Sequence, residues 1–184
     1  MDSTADIRKV LQKAKKGDTE AFSLIYTDYY SPIYKYIYTR TGSKEQAEDL
    51  TQEVFLKAYR SIKSFRITDA SPLAYFYTIA RNAVIDFRRK QSIVKVQNLE
   101  IIEAVGDESP NAEDRAIREE QWEYVQECLQ RLTEDQQEII TLKFMSGLTN
   151  KEISAMTGKS EMAIRQTQSR GLRTLGKLFK KIHV

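Results

Sequence analysis

Three times this chain places a serine or threonine three residues ahead of a glutamine or glutamate: Ser43 and Gln46, Thr133 and Gln136, Thr149 and Glu152. In that spacing the hydroxyl accepts from a free backbone N–H of the first helical turn, and the longer side chain can reach back to the cap's own N–H. Each pair therefore opens a helix. Glycines at 17, 42, 147 and 158 are placed to close helices, because a left-handed residue after a helix is cheapest as glycine. No stretch with clear period-two alternation is long enough to build a sheet. The chain is expected to be all-α.

The same punctuation divides the first half into helices. Ile7, Val10, Leu11 and Ala14 form a short amphipathic helix closed by Gly17. Asp18 caps a second, with Ala21, Phe22, Ile25, Tyr26 and Tyr29 on its inner side. Ser31-Pro32 is expected to restart or kink the chain there, since proline favours a first helical turn. Ser43 opens a helix burying Ala47, Leu50, Val54, Ala58 and Phe55, and Ser71-Pro72 opens another that runs to about Lys90. A polar loop containing Phe65 and Arg66 lies between those two. A long helix from about Asn111 through Leu129 follows later, then one filled by Ile139, Ile140 and Phe144 up to Gly147.

Charge is distributed in three zones. Residues 1–91 carry a net +5, residues 92–115 a net −4, and residues 116–184 a net +2. The middle zone contains GDESPNAED, which reads as a flexible acidic linker. Two small helical domains, 1–91 and 116–184, are expected on either side of it. One cysteine, Cys128, rules out an intramolecular disulfide, and with a single histidine, His183, no cysteine/histidine zinc site can be assembled. No metal and no cofactor are expected. The chain has no apolar run near the length of a membrane span, and its first ten residues lack a signal-peptide core, so a cytoplasmic protein is expected.

Two helices suggest chemistry. The segment from Thr149 to about Leu178 reads as a helix-turn-helix whose second helix is capped by Ser160 and ends the chain on a basic note. From Lys159 to Val184 the net charge is +6. At roughly 100° per residue, Arg165, Gln166, Ser169, Arg170 and Arg173 share one side. Ile164, Gly171, Leu175, Leu178, Phe179 and Ile182 share the other. An ordinary amphipathic helix with a solvated face would look alike. The short capped helix and the turn of three or four residues favour binding to a duplex major groove. The second helix, from Pro72, turns Leu73, Phe76, Ala80, Ala83, Val84 and Phe87 to one side. Tyr75, Asn82, Asp86 and Arg89 fall on the other, with Arg88, Arg89 and Lys90 at its positive end. Aromatic rings beside cations suit unpaired bases. On composition alone, Tyr75 and Tyr77 sealing the rim of a small core is the favoured reading.

The chain resembles a known family over most of its length. Residues 49–59, DLTQEVFLKAY, are similar to the D-L-x-Q-E-x-F-L-x-A-[WY] block of bacterial sigma factors. Residues 77–86, YTIARNAVID, are similar to their Y-x-I-A-x-N-x-x-x-D block. Residues 147–170 resemble their promoter-reading helix-turn-helix, and the size resembles the extracytoplasmic-function (ECF) subfamily. The resemblance implies a transcription initiation factor rather than an enzyme. It implies docking of Asp49, Gln52, Glu53 and Leu56 on the β′ clamp helices of core RNA polymerase, with a further contact to the β flap. Opening and capture of the −10 element falls to Phe65, Arg66, Tyr75, Asn82, Asp86, Arg88 and Arg89. Reading of the −35 duplex falls to Ser160, Arg165, Gln166, Ser169, Arg170 and Arg173. The acidic linker resembles a segment that threads the polymerase, mimicking nucleic acid in a positive channel. The family commonly has an anti-sigma partner, often membrane-bound, and no small-molecule substrate.

The chain departs from the family pattern in places. Tyr75-Phe76 stands where the family often has Trp. In the recognition helix Gln166 suits a bidentate contact to adenine. Gln168 replaces a usually apolar residue, and Gly171 replaces alanine at about 1 kcal/mol of helix propensity. A free-standing helix-turn-helix regulator is the alternative, and should bind duplex alone as a symmetric dimer. An enzyme fits less well. Residues 171–178, GLRTLGKL, nearly match a phosphate-binding loop, but Leu178 lacks the needed hydroxyl and no strand precedes it. Glu48, Asp49 and Glu53 have no histidine nearby to complete a metal site.

Overall fold

The computed structural model describes residues 4–65, 72–97 and 113–180, and these form helices with no strand among them. The first domain holds α1 (Thr4–Lys15), α2 (Thr19–Thr41), α3 (Lys44–Ser61) with a 3-10 turn at Ile62–Ser64, and α4 (Pro72–Gln97). The second holds α5 (Glu113–Gln130), α6 (Glu134–Ile140) running into a π turn (Thr141–Met145), α7 (Asn150–Thr157) and α8 (Glu161–Lys180). Residues 98–112, including most of the acidic stretch, and Arg66 lie outside the described residues.

The caps form where the spacing places them. Asp18 accepts from the Ala21 N–H at 3.0 Å. Ser43 and Thr133 each accept from the N–H three residues on. Thr149 and Glu152 complete the reciprocal box in both directions. Gly42 and Gly158 take the left-handed conformation, with φ of 73° and 72°.

Three local expectations are corrected. Pro32 does not restart the chain: α2 continues through it to Thr41. Ile25 before it and Ile33, Tyr36 and Ile37 after it are all buried, so packing on both sides holds the helix across the missing N–H. Tyr26, expected inside, is 40% exposed and lies against Phe55 at 4.8 Å between ring centres. Phe144, expected to fill the core, is 56% exposed. The π turn at 141–145 puts an extra residue into the helix and shifts its phase, so Leu142 is buried in its place.

The two domains are packed together. Ile139, Leu142, Leu148, Ile153 and Ile164 of the second domain belong to the same apolar cluster as the core of the first. A second cluster, Cys128, Leu129, Leu132, Ile140 and Leu175, holds α5, α6 and α8 to one another. Gly171 explains itself here. A Cβ at that position would lie 2.9 Å from Ile140 Cγ1, so α8 crosses α6 too closely for a side chain.

Candidate nucleic-acid and polymerase interface

The C-terminal helix pair presents an exposed polar face opposite a buried apolar one. Three residues, 158–160, separate α7 from α8. Ser160 caps α8 by accepting from the Ala163 N–H at 3.2 Å. Ile164 is fully buried, and Gly171 and Leu175 are buried beside it. Arg165, Gln166, Ser169, Arg170 and Arg173 are all exposed on the opposite side, and so is Ser160 at the start of the helix. Arg165 is braced by Glu161 at 3.3 Å, and the Arg170 guanidinium reaches the Gln166 carbonyl at 3.4 Å. Gln168 is not a packing defect, because its amide donates to Asn150 Oδ1 at 3.0 Å and ties α8 to the start of α7. Lys159 in the turn pairs with Asp135 of α6 at 2.9 Å. Met162 and Leu172 are exposed apolar residues on the same helix that the charge pattern did not single out.

The outer face of α3 is a second coherent surface. Asp49, Gln52, Glu53 and Leu56 are exposed at helical spacing, while Leu50, Val54, Phe55 and Ala58 are buried behind them. Glu53 pairs with Lys57 at 2.7 Å. Leu24, Tyr26 and Tyr59 are also exposed on α2 and α3, and Phe22 meets Tyr59 at 4.9 Å between ring centres. Exposed apolar groups beside carboxylates make a mixed surface suited to protein docking.

The third surface runs along α4. Tyr75, Asn82, Asp86 and Arg89 recur at spacings that keep them on one side over about 21 Å of helix. Tyr75 is half-buried. Its hydroxyl bonds Ser61 Oγ at 2.6 Å, and its ring lies 4.3 Å from that of Phe65. The two aromatics therefore sit as one unit, joining the end of the 3-10 turn to the start of α4. The Phe65 carbonyl accepts from the Lys15 ammonium. Tyr77, by contrast, is a core residue 1% exposed, with its hydroxyl donating to the Pro32 carbonyl. Asn82 is open, and Asp86 and Arg89 pair at 3.2 Å. Arg88 is not on this open side. It reaches the Arg40 carbonyl, Gln137 and Glu134, all in contact with the second domain. Burial and the neighbouring Arg40 cation depress its pKa from the usual guanidinium value.

Among the described residues no cluster of histidine, cysteine or carboxylate side chains could hold a metal ion. No described helix is long and apolar enough to cross a membrane.

The family profile described as Sigma-70 region 2 matches residues 25–93, and that described as Sigma-70, region 4 matches residues 122–175. The chain is 35% identical over 177 residues to the ECF RNA polymerase sigma factor BldN of Streptomyces coelicolor, covering 96% of this chain and 67% of that protein. It is 30% identical over 162 residues to the ECF RNA polymerase sigma factor SigX of Bacillus subtilis, covering 86% and 83%. Its fold matches CnrH, solved in complex with the cytosolic domain of CnrY, at a TM-score of 0.72 and 18% identity over 95% of this chain and 97% of that one. It also matches the sigma factor RpoE of Bartonella quintana, solved with the anti-sigma factor NepR, at 0.73 and 24% over 86% and 96%. With an all-helical pair of domains, matching profiles at both ends and relatives aligned along most of its length, the chain belongs to the ECF sigma factors of bacterial RNA polymerase.

Proposed function

We propose how this sigma factor, a transcription initiation factor that directs RNA polymerase to promoters, divides the work among its surfaces. The outer face of α3, through Asp49, Gln52, Glu53 and Leu56, docks on the polymerase clamp. The α4 face captures the opened −10 element: Phe65 and Tyr75 offer a ring pair for an unstacked base, with Asn82, Asp86 and Arg89 along the strand. Extruding a base costs a few kcal/mol, which stacking and edge hydrogen bonds offset. The exposed face of α8 reads the −35 duplex, with Ser160 at its start, Arg165 and Arg170 suited to guanine edges or phosphates, and Gln166 suited to adenine.

The observation that carries this division is the segregation on α8. Every polar side chain of the reading set is exposed, and Ile164, Gly171 and Leu175 behind them are buried. The work lies in the cytoplasm and needs no catalytic group of this chain's own. By analogy with the RpoE and CnrH complexes, an anti-sigma protein is a proposed partner.

The deciding experiment mixes the purified chain with bacterial core RNA polymerase and sequences transcripts from a randomised promoter library. Initiation at a two-part promoter is expected. Duplex binding by a symmetric dimer without polymerase would favour the free-standing regulator instead.

A further inference from the structure

The exposed face of α8 has an apolar residue at its centre. With Met162 taken as the zero of the helical wheel, Gln166 lies at roughly 40°, Ser169 at −20°, Arg165 at −60°, Arg170 at 80° and Arg173 at 20°. Their mean direction is about 12°, so Met162 falls in the middle of the polar set. The buried Ile164 and Gly171 fall on the far side, at roughly 200° and 180°. Met162 is 71% exposed, the most open large apolar side chain among the described residues.

The fold does not account for it. Met162 belongs to neither apolar cluster. The first turn of α8 is already held by other groups: Ser160 accepts from the Ala163 N–H at 3.2 Å, and Glu161 pairs with Arg165 at 3.3 Å. A single exposed apolar residue is ordinary on a protein surface. What sets this one apart is its place, second in the helix and between the cations and amides of the face.

We propose that Met162 is a specificity-determining residue for the −35 duplex, packing its thioether on the C5-methyl group of a thymine in the major groove. The inference rests on the reading role proposed above for α8. A recognition helix brings its N-terminal residues to the base edges. Along those edges the thymine methyl is the apolar group, and the other groups are donors and acceptors. Methionine pressed on a donor or acceptor would strip it of water and return no hydrogen bond. On a methyl it buries apolar surface, and its unbranched, polarisable chain adapts to the contour it meets. The place of the thymine follows from the helix rise. Gln166, suited to adenine, is one turn further on, about 6 Å along the axis at ~1.5 Å per residue. At ~3.4 Å per base pair, the thymine lies within about two pairs of that adenine.

The test uses the full chain on core polymerase. The unmodified chain and Met162→Ala each transcribe a promoter library randomised in the −35 element, and the transcripts are sequenced. Circular dichroism checks that helicity is unchanged, as an exposed position should allow. The unmodified chain is expected to favour thymine at one −35 position. Met162→Ala is expected to lose that preference and keep those at the other positions, and Met162→Leu to retain it. The direct probe is deoxyuridine, which pairs as thymine does and lacks only the methyl. Placed at that position, it should lower initiation by the unmodified chain about 3- to 10-fold, the scale of one or two buried methyl groups, and leave Met162→Ala unaffected. Deoxyuridine tolerated at every −35 position by the unmodified chain overturns the proposal. So does an equal deoxyuridine penalty in Met162→Ala. A loss of initiation in Met162→Ala that is the same on all −35 sequences also overturns it, and marks the residue as a protein contact. Arg165→Ala and Arg170→Ala separate the two levels. If they leave −35 preference unchanged as well, the reading role of α8 fails; if they shift it and Met162→Ala does not, only the methyl contact fails.

Discussion

Gly171 separates what sequence shows from what packing decides. Helix propensity alone makes Gly171→Ala a gain of about 1 kcal/mol. The buried Ile140 Cγ1, 2.9 Å from where the new carbon would sit, reverses the sign. A net loss of roughly 1–2 kcal/mol is expected, read as a lower urea midpoint. On the opposite side of the same helix the sequence was legible, because exposure there follows the helical period without help from neighbours. Arg165→Ala or Arg170→Ala should weaken −35 recognition by roughly 1–3 kcal/mol and leave polymerase binding intact. Promoter preference measured by transcript sequencing checks this, and unchanged preference in both variants would remove the face assignment. Gln168 was legible only as a departure. Its partner, Asn150, lies eighteen residues away on another helix.

At the scale of elements, starts and stops were the readable part because caps are local chemistry. The Thr149 box satisfies N–H groups within four residues of itself, so its spacing is sufficient warning. Thr149→Ala should cost about 1 kcal/mol, seen as a lower thermal midpoint with the reading helix unchanged in sequence. Pro32 and Phe144 were misread for one shared reason. In both cases burial of residues on flanking turns decides the backbone, and no local signal records that. Tyrosine burial on α2 and α4 has a measurable result. The Tyr29 hydroxyl is pushed up to about 12 by burial and then by Asp28, and Tyr36 and Tyr77 are raised by burial as well. The folded chain thus keeps these protons where the unfolded chain, near the ordinary tyrosine value of 10.0, releases them. Stability from this source is complete below about pH 10 and declines as pH rises towards 12. Urea midpoints across that window should fall, and a flat profile would contradict the burial.

For the whole molecule, the two domains and their boundary charges were visible, but their packing was not. Gln126, Gln130 and Gln137 look like ordinary helix-surface amides until α2 is seen to end against them. Docking on polymerase is a property of the assembled surface. Glu53→Lys places a second cation beside Lys57 and should weaken core polymerase binding at least tenfold with the helicity unchanged, measured by fluorescence anisotropy. The corner between α2 and α3 then acquires a further meaning. Only Thr41, Gly42 and Ser43 separate the Arg40 carbonyl, held by Arg88, from the first turn of α3. The contacts that the second domain makes at the end of α2 thus lie within a few residues of the surface proposed to meet polymerase. Linkage makes any coupling between the two symmetrical: whatever factor domain separation contributes to docking, docking returns to domain separation. Polymerase would be not just the machine this chain steers but the effector that sets its shape.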